Sequence, residues 1–420
     1  MPRQSRPWPT SARCPSVGMP ERRAAAQGPA WLEDWLLAGR AELVQWRRHL
    51  HANPELSRKE HATTAYVAQR LIAAGLSPRV LPLGTGLACD LGDPNIGGPL
   101  IALRADMDAL PMQEHTGAPY SSTVDDVAHA CGHDAHTAAL LGAALAMATA
   151  PDLPGRVRLL FQPAEEVMPG GALDVLESGE LAGVSRIFGL HCDPRLEVGQ
   201  VGMRAGALTS AADTIEIVVH SEGGHTSRPH LTGDLVHALG LVITGLPLML
   251  GRRLDPRAAT VLVWGAVHAG DAANAIPRRG VLRGTVRTGN RDTWAKLEPL
   301  VAEGVAALLE TTGVTYELHH QRGVPPVVND RTSARILRNA VSAGLGEQAV
   351  ASTLQSSGGE DFAWYLEHVP GAMGRLGVWP GHGPQLDLHQ PTFDLDERAL
   401  EVGVRVLVHT ALAAWAAARP

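Results

Sequence analysis

The chemistry in this chain concentrates in three short stretches: His129-Ala-Cys-Gly-His-Asp-Ala-His136, Gln162-Pro-Ala-Glu-Glu166 and Gly189-Leu-His191. Together they supply a thiol, imidazoles and carboxylates, the donors that hold a divalent transition metal, with one carboxylate more than a structural site uses. Cys131 and His133 are two residues apart, so on a loop or short strand both can turn toward one point. Glu165 and Glu166 are adjacent and do not easily share an orientation. One can ligate a metal while the other faces a water, the division of labour of a metal-assisted hydrolase. Each signal alone is weak. In a chain with 19 histidines a lone Cys-x-His carries little, and a Glu-Glu pair is by default a solvated helix face.

The setting of these residues lifts the reading. The apolar run Leu159-Leu-Phe161 ends at Gln162, Ile187-Phe-Gly-Leu190 ends at His191, and Leu100-Ile-Ala-Leu103 ends at Arg104-Ala-Asp-Met-Asp108. Chemistry at the ends of buried strands is where an open α/β sheet binds its ligands. Residues 31–51 and 60–74 read as amphipathic helices, and the Ala-rich residues 137–150 as a buried helix. Strands alternating with helices imply an α/β fold with a mostly parallel, mixed sheet and helices on both faces.

After Gly199 the texture changes. Residues 214–219 alternate as an exposed-face strand does, 235–248 and 292–310 read as helices, and 259–267 and 280–287 as strands. This predicts a small inserted α/β sandwich over residues 200–313, with hinges near Gln200 and Gly313. The catalytic domain then comprises residues 30–199 and 314–420, where a strand at 315–319, helices near 331–343, 361–368 and 396–418, and a strand at 376–379 return to the first style. Two domains suit 420 residues.

Net charge of -7 gives no broad basic surface for nucleic acid. No apolar run reaches the length of a membrane span. The four cysteines, Cys14, Cys89, Cys131 and Cys192, show no disulfide framework, as in a reducing compartment; Cys89 and Cys192 read as small buried hydrophobes. Residues 1–29 lack the apolar core of a secretory signal and read as a disordered tail or an over-extended start, with Met19 as the alternative initiator. These features predict a cytoplasmic protein.

Nine blocks in order make the chain resemble the M20 family of zinc-peptidase-like amidohydrolases, in particular the subgroup of hippurate hydrolases, N-acyl-amino-acid amidohydrolases and auxin-conjugate hydrolases. Beyond the stretches already quoted they are His49-Leu-His-Ala-Asn-Pro-Glu-Leu56, Arg104-Ala-Asp-Met-Asp-Ala-Leu-Pro111, Gly223-Gly-His-Thr-Ser-Arg-Pro-His230, Asn274-Ala-Ile-Pro277, Gly358-Gly-Glu-Asp-Phe362 and Leu388-His-Gln-Pro391. The resemblance implies two divalent metal ions per subunit (Zn²⁺, Mn²⁺, Co²⁺ or Ni²⁺), with Cys131, His133, Glu166, His191 and His389 as ligands and Cys131 in the bridging position. It implies Glu165 as general base, Asp108 as the carboxylate orienting a ligating imidazole, and His225 of the inserted domain as the group holding the substrate carbonyl. Asn274 and Arg287 are weaker candidates for the substrate's carboxylate or carbonyl. By default Asp108 is a strand-end aspartate, His225 a loop histidine and Arg287 a surface arginine.

The function this predicts is hydrolysis of the amide of an N-acyl or N-aroyl amino acid. The inserted domain would serve as lid and as the contact of a homodimer, with a tetramer as the alternative, and His225 would serve its own site or its partner's. A dipeptidase or carboxypeptidase on the same site is the first rival, and Asp125 or Asp126 could hold a substrate's free amine. A binding protein without turnover is disfavoured by the presence of Glu165. A thiol hydrolase using Cys131 and His133 is disfavoured because a Cys two residues from its base is poorly placed for attack. Cys192-Asp-Pro194 and the acids at Asp125 and Asp126 depart from the family pattern and bear on specificity.

Overall fold

The computed structural model describes residues 28–418. Met19, Cys14 and all but the last two residues of the expected tail lie outside the described residues.

Eight strands form one mixed sheet, in the order Arg79–Val80, Leu87–Leu91, Arg156–Gln162, Leu100–Asp106, Val184–Glu197, Gly371–Trp379, Val201–Met203 and Val350–Ser352. The four central strands, from Arg156–Gln162 to Gly371–Trp379, run parallel, and antiparallel pairs flank them. Side chains alternate between faces, as strand geometry requires. Ile101, Leu103, Ala105, Val157, Leu159 and Phe161 enter the larger core, whereas Leu100, Ala102 and Leu160 enter a smaller one on the other face. Long helices Ala30–Ala52, His133–Ala148, Arg331–Leu345 and Arg398–Ala417 cover the first face; short helices Ala172–Glu177 and Ala363–Leu366 lie on the second.

A separate four-stranded antiparallel sheet has the order Val261–Ala269, Arg279–Thr288, Ala211–His220 and Thr315–Val324. Helices Leu235–Arg253 and Arg291–Leu309 pack on one face of it around their own core. Val261, Val263 and Val267 lie exposed on its edge strand.

Four expectations from sequence change here. The strand expected at 315–319 in the catalytic domain is Thr315–Val324 of the small sheet, and Val201–Met203 belongs to the large one, so the small domain does not end at Gly313 or begin at Gln200. The helix after the first motif begins at His133, four residues before 137, because Gly132 caps it with a φ of 86°. A Cβ on Gly132 would lie 2.8 Å from the Cys192 sulfur, so both the left-handed backbone and the close approach need glycine there. The strand through His191 does not stop at that residue but runs to Glu197. Its pairing with Leu100–Asp106 ends at Gly189, however, so His191 lies where the strand has lost one neighbour. Finally, Leu235–Arg253 and Arg398–Ala417 are long and apolar enough to cross a membrane, because few charges interrupt them. Both contribute to the cores described above, the second burying two thirds of its apolar window.

Candidate active site

Four separated segments bring their donors together at the rim of the large sheet. Cys131 and His133 straddle the capping glycine, so one residue precedes the helix and the other opens its first turn. Glu165 and Glu166 follow the strand end at Gln162 through Pro163 and Ala164, whose φ of 57° turns the chain sharply. The Ala164 N–H donates to the buried Glu60 carboxylate at 2.7 Å, which fixes that turn. His389 is carried by a loop whose backbone N–H donates to the Ala130 carbonyl at 2.7 Å, bringing it to Cys131 from 258 residues away in sequence (389 − 131).

The donors converge. Cys131 Sγ lies 3.6 Å from His191 Nε2. Glu166 Oε1 lies 3.4 Å from His389 Nε2 and 3.8 Å from His133 Nε2. The imidazole tautomers are set from behind. His133 Nδ1 donates to the Asp108 carbonyl at 3.0 Å, with Asp108 Oδ1 at 3.2 Å. His191 Nδ1 donates to the Cys192 carbonyl at 2.8 Å. Each Nε2 therefore presents a lone pair to the cleft, the orientation a metal-ligating histidine needs. His133 Nε2 and Glu166 Oε1 are buried without any hydrogen-bond partner. A buried polar atom left unpaired is costly, and a cation between these donors would satisfy both at once. The residues present fit a metal centre.

Asp108 binds on both its oxygens: Oδ2 accepts from the Glu166 N–H at 2.9 Å and from the Ser57 hydroxyl at 2.6 Å. It thus joins His133 and Glu166 from below. His136 is excluded as a ligand. Its Nδ1 lies 2.5 Å from Asp106 Oδ1 and its Nε2 accepts the Cys192 N–H at 2.8 Å, so both nitrogens are engaged.

Glu165 stands between two groups: its Oε2 lies 4.0 Å from His133 Nε2 beside Glu166, and its carboxylate also approaches Glu360 and Asp361. Burial, followed by the neighbouring Glu360 and Glu166 charges, pushes its carboxyl well above the usual range. Burial likewise pushes the Cys131 thiol up; a bound cation acts in the opposite sense and deprotonates a coordinating thiol.

A cavity of about 380 Å³ opens over this rim, lined by Cys131, Glu165, Glu166, His191 and His389 together with Arg287 of the small sheet. Arg287 Nη1 donates to the Ser357 carbonyl at 2.9 Å, tying the small sheet to the cavity wall. His225 and Asn274 do not line it. His225 lies on a separate two-stranded ladder pairing Gly224–His225 with Ala275–Ile276, and Asn274 immediately precedes the second strand; His225 is exposed and its Nδ1 meets the Ser227 hydroxyl at 2.8 Å. Asp125 and Asp126 are exposed and also lie outside the cavity.

Residues 102–413 match the family described as Peptidase family M20/M25/M40. The chain belongs to that family. It is similar over 367 residues, at 56% identity, to a Rhodococcus jostii protein named "Putative glutamate--cysteine ligase 2-3"; the match takes in 87% of this chain and spans 46% of that relative. It is 40% identical to the N-acetylcysteine deacetylase of Bacillus subtilis, over 88% of this chain and 96% of the relative. Among solved structures, the Bacillus subtilis YXEP protein, described as a dinuclear metal-binding peptidase from the M20 family, superposes with a TM-score of 0.78 at 34% identity, covering 90% of this chain and 99% of the other.

Two cavity residues received no role from sequence. Glu360 is buried beside Arg104, with Oε1 3.1 Å from Nη2, and lies in the quoted Gly358–Phe362 block. Arg375 is the one charged residue inside the apolar strand Gly371–Trp379, and that interruption was its signal.

Proposed function

We propose that the protein is a metal-dependent amidohydrolase that cleaves N-acyl or N-aroyl amino acids to a carboxylic acid and a free amino acid. The observation that carries this reading is the convergence of Cys131, His133, Glu166, His191 and His389 beside a second carboxylate, Glu165, which lines the same cavity with Oε2 4.0 Å from His133 Nε2. The likeness to an N-acetylcysteine deacetylase supports the substrate class, and the likeness to a dinuclear peptidase supports a pair of metals.

Cys131, His133, Glu166, His191 and His389 would hold two divalent cations. When bound, such a pair acidifies a water and polarises an amide carbonyl. Glu165 takes the proton of the attacking water at a carboxylate oxygen and delivers it to the leaving nitrogen. Its raised proton affinity suits both halves of that transfer. Asp108 keeps His133 in its ligating tautomer and braces the Glu166 backbone. Arg287 orients the amino-acid carboxylate at the cavity wall.

The small domain, whose sheet runs from Ala211–His220 to Thr315–Val324, acts as a lid and carries His225 and Asn274 to the substrate. His225 donates to the developing oxyanion. The exposed apolar edge Val261–Ala269 supports a homodimer formed through this domain, since unpaired edges are commonly covered. The absence of His225 from the cavity of its own chain supports service to the partner's site.

A panel of N-acetyl, N-benzoyl and dipeptide substrates, assayed before and after chelation and after metal is restored, tests the reading. Metal-dependent turnover of the N-acyl amino acids is expected. Turnover confined to dipeptides, or undiminished after complete chelation, overturns it.

A further inference from the structure

Three arginines of the large domain are buried, and the fold treats one of them differently. Arg47 is enclosed by Asp134 at 2.7 Å and Asp394 at 2.8 Å. Arg104 is enclosed by Asp106 at 2.6 Å, Asp361 at 2.8 Å and Gln162 at 2.8 Å. These guanidinium groups are structural and neutralised by their surroundings. Arg375 is only 7% exposed, yet among the described residues its side chain makes no hydrogen bond and no ion pair within 4 Å, with Glu360 and Asp193 acting on it only from farther away. A buried charge without partners is strongly disfavoured unless it has a counter-ion to receive. Its small exposure opens into the cavity of the candidate active site, which it lines together with Cys131, His191 and Glu360. The placement is built into the sheet: Arg375 is the registered neighbour of His191 on the adjacent parallel strand.

The cavity therefore presents two guanidinium groups on different walls, Arg287 from the small sheet and Arg375 from the large one. Arg287 takes the α-carboxylate in the reading above. The two halves of an amide leave its carbonyl in opposite directions, so a substrate spanning the cavity brings its acyl half to the other arginine. We infer that Arg375 binds a carboxylate on the acyl half, so that the preferred substrates are amino acids N-acylated by a dicarboxylic acid of the succinyl or glutaryl class. Guanidinium is suited to such a role because it offers paired donors matched to a carboxylate and keeps its charge when desolvated. A neutral acyl chain would leave the buried Arg375 charge with only the Glu360 and Asp193 carboxylates beyond ion-pair distance to answer it.

This inference rests on the amidohydrolase reading, and the experiment separates the two. The metal-loaded enzyme is assayed on an N-succinyl amino acid and on its N-succinamoyl isostere, which replaces the distal carboxylate with an amide of the same shape. The wild type is expected to favour the succinyl substrate in kcat/KM. In Arg375→Gln the ratio of the two kcat/KM values should fall by about 10- to 100-fold, the range for loss of a charge-assisted hydrogen bond, and Arg375→Lys should retain part of it. An unchanged ratio, or an equal loss on both substrates, overturns the inference while leaving the amidohydrolase reading intact. Calorimetric titration of the same proteins with succinate and with its monoamide provides a readout independent of turnover. If no N-acyl amino acid is hydrolysed, the reading of function fails; succinate binding lost in Arg375→Gln and partly kept in Arg375→Lys then still supports the anion site, and equal binding by all three proteins overturns it.

Discussion

At the rim of the eight-stranded sheet each imidazole donor that faces the cleft from a strand or helix is also held from behind. His133 is pinned by Asp108 and His191 by a neighbouring carbonyl, while Asp108 itself is bound by Ser57 and the Glu166 backbone. In the small domain His225 sits exposed on a two-residue ladder, and its ring is held by Ser227 two residues along the chain. The difference follows from what each region must do. Metal ligands bind tightly only when their lone pairs are aligned in advance. A group that meets the substrate after closure gains its geometry from the closed state.

The largest effects should come from the rigid region. Glu165→Gln is expected to lower turnover by about 10²- to 10⁴-fold, the usual contribution of a general base, while keeping its metal. Glu166→Gln should lose metal as well. Rates measured beside elemental analysis check both, and an active Glu165→Gln protein would break the mechanism.

The small domain comes next. His225→Ala should reduce kcat by about 10²- to 10³-fold, the cost of losing one oxyanion donor, with metal content and fold unchanged. Mixing it with Glu165→Gln sharpens the comparison. Activity recovered in mixed dimers shows that the histidine crosses the interface; no recovery, with subunit exchange shown independently, places it in its own site.

How much of this was readable in advance depends on how local each signal is. The strands leading to Gln162 and Arg104 were legible, because apolar runs act over a few positions. Burial of the small sheet's helices followed from their periodicity. The start of the helix at His133 was missed because its cap is a left-handed glycine and not a side chain that accepts a hydrogen bond. The charge networks were not legible. Arg104 meets Asp361 from 257 residues away and Arg47 meets Asp394 from 347, distances at which only the folded sheet decides who pairs. Arg375 is the converse case, a charge whose lack of a partner only the folded structure reveals.

Two smaller predictions probe how far the bracing extends. Asp108→Asn should weaken metal binding by about 10- to 100-fold, measured by competition with a chromogenic chelator. Ser57→Ala removes one of several bonds to Asp108 and should cost about 2- to 10-fold in the same assay. A larger loss for Ser57→Ala than for Asp108→Asn would contradict the order of support described here.

The central claim is that five donors from separated segments form one dinuclear centre. An anomalous-scattering map from crystals of the metal-loaded protein tests it most directly. The account predicts two peaks flanking the Cys131 sulfur, with His133, Glu166, His191 and His389 donors at about 2.0 to 2.4 Å from one or the other. A single peak remote from Cys131, or two peaks that leave His389 unligated, would contradict it.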